Sequence, residues 1–135
     1  MIVAYLTFDG NTEEAFNFYN SVLGGEFGNV QRFGDNDFEG PPMSDVDKNK
    51  IMHISLETDL GTLMGNDHMA FMGPFQAGNN ISLSLHPDSE EQAKEIFDGL
   101  SKDGTVLMPM DKAPWGALFG MLIDQFGIKW LVNYQ

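Results

Sequence analysis

The 135-residue sequence contains no cysteine, and only seven basic residues stand against twenty acidic ones. Without cysteine there is neither a disulfide nor a thiolate metal site, which suits a reducing, cytoplasmic setting. No run approaches the roughly 18 apolar residues that a membrane-spanning helix needs. The opening MIVAYLTF lacks the basic flank and small-residue cleavage site of a secretory signal, so we read it as a first strand. A formal charge of −13 excludes the basic patches that hold phosphate backbones, so neither nucleic acid nor membrane is expected as a partner. A phosphate-cradling glycine loop, a nucleophile elbow and an HExxH sequence are also missing.

What is present is a sentence written twice. TEEAFNFYNSVLGG at 12–25 has an echo in SEEQAKEIFDGLSKDG at 89–104, and each follows an alternating stretch, VAYLTF or NISLSL. Asn11 with Glu14, and Asp88 with Glu91, have the spacing of capping pairs. Phe16, Tyr19 and Leu23, then Ala93, Ile96 and Leu100, form one apolar stripe at helical period. Gly24-Gly25 and Asp103-Gly104 stop the two helices. An offset of 77 residues also carries Leu6 onto Leu83, and Tyr5 and Thr7 onto Ser82 and Ser84. Further strand-like runs at 27–34, 51–57, 61–66, 105–110, 117–123 and 128–134 complete a βαβββ order, twice. The expectation is an α+β fold: one domain of two modules, about 1–75 and 76–135, with helices over 11–23 and 89–102.

Alternation along a strand sends successive side chains to opposite faces. Leu6 and Leu83 therefore share the helix-facing parity, while Tyr5, Thr7, Ser82 and Ser84 share the other. His53, Ser55 and Glu57 lie on one face of IMHISLET, and Lys129, Leu131 and Asn133 on one face of IKWLVNY. Either these polar faces line a solvated cavity, or each faces bulk water, as antiparallel sheets often do. The cavity reading gives a ligand set of Tyr5, Thr7, His53, Ser55, Ser82, Ser84, Trp115 and Asn133.

Other chemistry is thin. His53 and Glu57 form the one candidate acid–base pair, but four strand residues separate them by about 13 Å, too far for a direct bond. His68 and His86, beside Asp67 and Asp88, read as surface loop residues. DNDFEG at 35–40 opens like a calcium loop but runs into Pro41 and Pro42, with Val46 at the twelfth place, so 35–50 reads as a mobile acidic loop. MGNDHMAFMGPF at 64–75 is rich in Met and Phe, as a lid, a dimer contact or plain loop packing would be. Trp115, between Pro114 and Gly116, suits either an aromatic wall for a flat or cationic ligand or a cap on the core.

The stretches FYNSVLGG, YLTFDGNTEEAFNFY, MHISLET, ISLSL and MPMDKAPWGALFGMLIDQFGIKWLVN resemble the vicinal oxygen chelate superfamily. That is the glyoxalase, bleomycin-resistance and dioxygenase group, and the likeness is to its PhnB-like branch over nearly the whole chain. The sequence departs from that branch at Ala113-Pro114 and at Leu118. The resemblance implies paired βαβββ modules curled around a cavity, usually in a homodimer. In the superfamily's enzymes His, Glu or Gln from the first and fourth strands of each module hold a divalent metal. Those positions fall here on Tyr5, Met64, Ser82 and Leu131, and the neighbours Val3, Thr7, Leu63 and Asn133 add no carboxylate or imidazole. A labile divalent ion needs such ligands. The sequence thus points to a small-molecule binding protein with no metal and no other cofactor, for a cationic or aromatic ligand. The alternatives are an enzyme of lyase, isomerase or dioxygenase type with an unusual site, and a dimer whose cavity is vestigial.

Overall fold

A computed structural model describes all residues from 1 to 135. The chain forms two compact units, Met1–Gln76 and Ala77–Gln135. The first runs β1 (Ala4–Phe8), α1 (Thr12–Leu23), β2 (Glu26–Arg32), a short α2 (Asp45–Asn49), β3 (Ile51–Thr58) and β4 (Gly61–Asp67). The second runs β5 (Ser82–Leu85), α3 (Glu90–Ser101), β6 (Thr105–Lys112), β7 (Leu118–Ile123) and β8 (Lys129–Tyr134). Each unit holds one four-stranded sheet, ordered β1-β4-β3-β2 and β5-β8-β7-β6. In each, the first strand lies parallel to the last and the remaining pairs are antiparallel.

The duplicated topology follows the duplicated pattern. Leu6 pairs with Gly65 and Leu83 with Trp130, so the two leucines occupy matching strands at matching edges. The helix-facing rows make the cores: Phe8, Ile54, Leu56 and Leu63 with Ala15, Phe16 and Tyr19, then Leu85, Leu122, Trp130 and Val132 with Ala93, Ile96, Phe97 and Leu100. The buried helical sets are Thr12, Ala15, Phe16, Tyr19 and Ala93, Ile96, Phe97, Leu100. Their spacing is the same, so each helix rests on its sheet by one face. Leu23, expected to match Leu100, lies outside the buried set of α1: Thr12, Ala15, Phe16 and Tyr19 take the places of Ala93, Ile96, Phe97 and Leu100.

Three expectations change. Asn11 makes no side-chain cap; the Thr12 N–H instead donates to Asp67 Oδ1 at 3.0 Å, a carboxylate brought up by β4. The second helix is capped by Ser89, not Asp88, with Ser89 Oγ accepting from the Gln92 N–H at 3.0 Å. Residues 35–50 are not a featureless loop. Phe33–Asp35 is a 3-10 turn in which Asp35 Oδ2 accepts from the Arg32 N–H at 2.7 Å, and Ser44 caps α2 by accepting from the Asp47 N–H at 3.1 Å. Asp35, the first acid of the calcium-like stretch, is thereby committed to a backbone donor.

Candidate functional site

The face of the first sheet turned away from α1 carries connected polar groups. Tyr5 stands opposite Met64, which stands opposite Ser55; Thr7 stands opposite Asn66, and His53 opposite Gln31. Tyr5 Oη lies 3.1 Å from His53 Nδ1, their ring centroids are 5.7 Å apart, and the Thr7 hydroxyl donates to Asn66 Oδ1 at 2.7 Å. Tyr5 is 48% exposed, so this is an open ledge of two rings and an amide rather than packed core. Partial burial nevertheless pushes the Tyr5 phenol pKa up, because the phenolate would lose solvation.

Not every expected residue joins that ledge. Ser55 is buried, and its Oγ accepts from the Asn29 N–H at 3.1 Å beneath a bulge in β2. A Cβ on Gly28 would come within 2.7 Å of that oxygen, so glycine lets the strand close over it. Glu57 is exposed beside Glu26 and Thr62, and no hydrogen bond links it to His53. The partner of His53 is Tyr5.

In the second sheet the corresponding face is more apolar. Ser84 stands opposite Leu131, Leu131 opposite Met121, and Asn133 opposite Phe119. Ser82 stands opposite Lys129, whose Nζ donates to the Asn79 carbonyl at 2.8 Å. Ser84 Oγ lies 3.0 Å from His86 Nε2. Trp115 sits in the β6–β7 turn, 62% exposed, with its ring edge-on to Phe119 at 5.8 Å; this exposure does not fit a core cap.

Several residues were passed over in the sequence. Asn66 continues the parity of Met64 and could have been found by alternation alone. Asp67 reads as a loop acid but is buried at the end of β4, where its carboxylate accepts from the N–H groups of Thr12 and Ile51 and lies 2.6 Å from Thr12 Oγ1. Nothing in the sequence announces that role.

The donor set does not fit a divalent ion. Tyr5 and Met64 stand opposite each other, Ser82 faces Lys129 and Leu131 faces Ser84, so the four superfamily positions carry phenol, thioether, hydroxyl and alkyl groups. No three His, Asp or Glu side chains gather as a metal ligand set.

Residues 1–133 match the family described as 3-demethylubiquinone-9 3-methyltransferase. The chain belongs to that family, in the PhnB-like branch of the vicinal oxygen chelate superfamily, and has the glyoxalase-like fold. It is similar to protein PA1353 from Pseudomonas aeruginosa, with 38% identity and a TM-score of 0.86 over 100% of this chain and 97% of that one. A putative 3-demethylubiquinone-9 3-methyltransferase, PhnB protein, from Bacillus cereus shares 28% identity at a TM-score of 0.78, covering 99% and 98% of the two chains. Protein YjdN of Escherichia coli K12 is 27% identical over 136 residues, covering 96% of this chain and 91% of its own. No helix is long and apolar enough to cross a membrane.

Proposed function

We propose that this protein binds a small molecule without a divalent metal, and that the ledge of Tyr5, Thr7, His53 and Asn66 is where the ligand rests. The observation that carries this reading is the Tyr5–His53 pair, two rings joined at 3.1 Å and left open to solvent. Open rings with fixed polar edges offer a flat ligand both stacking area and orientation. The −13 charge repels anions, which favours cationic or neutral aromatic compounds.

The methyl transfer in the family's description draws little support from these residues. Each unit has a single parallel strand pair, not the series of parallel strands whose switch point holds nucleotide-type cofactors. We further infer a cytoplasmic homodimer. The lack of cysteine suits the compartment, and exposed Val106, Leu107 and Met108 on the edge strand β6 suit association.

The test is a thermal-shift screen of neutral, cationic and anionic aromatic compounds with and without EDTA, alongside metal analysis and light scattering of the purified protein. Stabilisation by neutral or cationic aromatics, unchanged by EDTA, is expected. One tightly bound ion per chain, or a melting temperature raised by Zn²⁺ or Ni²⁺, defeats the metal-free reading, since a tight site adds several kcal/mol by linkage.

A further inference from the structure

The hydrogen bonds within the ledge decide which atoms remain free for a ligand. A phenol has one proton to donate, and Tyr5 Oη has one polar partner, His53 Nδ1. The phenol carries its proton at neutral pH, and donating it to Nδ1 selects the His53 tautomer with no hydrogen on that nitrogen. A neutral imidazole that accepts at one nitrogen carries its hydrogen on the other. His53 Nε2–H is then a donor with no partner in the protein. The same logic runs along the neighbouring bond: Asn66 Oδ1 accepts from Thr7, so the Asn66 amide NH₂ is left without a partner. Ile54 stands opposite Gly65, and His53 and Asn66 are the next residues beyond that pair on β3 and β4, so both free donors belong to the same end of the two strands.

We propose that Tyr5 and Thr7 set the hydrogen-bonding polarity of His53 and Asn66, so that the ledge sets their free donors beside the acceptor lone pairs left on the two hydroxyls and selects a neutral ligand carrying both an acceptor oxygen and an N–H, such as an amide. This rests on the ledge being the ligand face, and it narrows the ligand class. An ammonium group carries donors only, so it can meet the hydroxyl oxygens but leaves the His53 and Asn66 donors without an acceptor, and it binds less well than a neutral amide. An anion would suit the donors but meets no free cation in this sheet: the one basic residue of its four strands, Arg32, is held by Glu13 at 2.5 Å and by the Asn49 carbonyl at 2.8 Å. The acidic excess repels it as well. A neutral amide answers both the donors and the acceptors.

Two measurements test this. The first needs no ligand: long-range ¹H–¹⁵N correlation of the histidine side chains near pH 8. Wild type should show His53 as one tautomer, protonated at Nε2, and Tyr5→Phe should convert it to a tautomer mixture. A Nδ1-protonated His53, or no change in Tyr5→Phe, overturns the inference whatever the ligand. The second is an NMR titration with benzamide, benzylamine and benzoate as matched probes. Benzamide should shift the His53 and Asn66 side-chain signals, and Tyr5→Phe, which keeps the ring, should weaken it about three- to tenfold. Thr7→Val, which frees Asn66 Oδ1, should narrow the preference for benzamide over benzylamine. If benzylamine or benzoate shifts these signals and benzamide does not, the donor inference fails while the ledge stands as a binding face. If no probe shifts them, the ledge reading fails and takes this inference with it.

Discussion

Phe16 lies directly against Gly65: a Cβ on that glycine would sit 2.8 Å from the ring's Cε1 and 2.5 Å from the Leu6 carbonyl oxygen. Both contacts are closer than real Cβ atoms make, so α1 packs on β4 only because that position has no side chain. The second unit repeats the device on another strand, with Gly120 of β7 under Phe97. Trp130 fills the place beside Leu83 that Gly65 leaves small beside Leu6. Gly65→Ala should therefore cost about 1–3 kcal/mol as overpacking. Gly120→Ala should cost less, because one of its close contacts is the mobile Met110 Sδ rather than a backbone oxygen. Urea denaturation of both variants checks the order, and equal or reversed costs would refute this account of the two interfaces.

Removal of the Asp67 carboxylate should be among the most damaging single changes in the first unit. It accepts from two buried backbone N–H groups, at the start of α1 and of β3. Leaving a buried donor unpaired costs about 1–3 kcal/mol, and Asp67→Ala strands two. A loss of about 3 kcal/mol is expected by chemical denaturation, with the amides of Thr12 and Ile51 losing hydrogen-exchange protection. A cost of a few tenths would show that the helix start and the strand start are not tied through this residue.

The strand parity of β5 is tested by exchanging the character of two neighbours. Leu83 is on the helix side beside the fully buried Trp130, though itself half-buried. Leu83→Ser should cost about 1–3 kcal/mol, while Ser82→Leu should stay within about 0.5 kcal/mol. Thermal melts giving the reverse order would mean that the serines, not the leucines, face α3.

Tyr5 should make the folded state sensitive to high pH. Its pKa is raised by burial above the ordinary value of 10.0. Above that value the unfolded chain releases the phenolic proton while the folded chain still holds it. Stability is then fully present below about pH 10 and falls as pH climbs through the folded pKa. Comparing wild type with Tyr5→Phe in urea between pH 9 and 11 should show wild type losing ground. The half-exposed ring keeps the effect small, and a gain for wild type over that range would contradict the sign.

The local information that fixes the main helices and strands is short-range, and this sequence carries most of it. Period-2 alternation in VAYLTF, IMHISLET and NISLSL set the strand faces, and an apolar residue every three to four places marked the two helices. The stripe read for the first helix nevertheless included Leu23, which is not buried, and missed Thr12 and Ala15. Those patterns, read in the sequence at an offset of 77, sufficed for the βαβββ order and for its family resemblance, although the buried helical residues match in a different register, Phe16 with Phe97. They also put Tyr5, Thr7 and His53 on one face before any contact was known. What the sequence could not decide was every pairing that spans strands. The Tyr5–His53 bond joins residues 48 apart, and the Thr12–Asp67 bonds join residues 55 apart. Such contacts depend on register, and register depends on bulges. The shift in β2 between Phe27 and Val30 is what sinks Ser55 under Asn29 and removes it from the ledge. Alternation records which face a residue takes; only the closed sheet decides what meets it there, because a one-residue bulge changes the partner without changing the pattern.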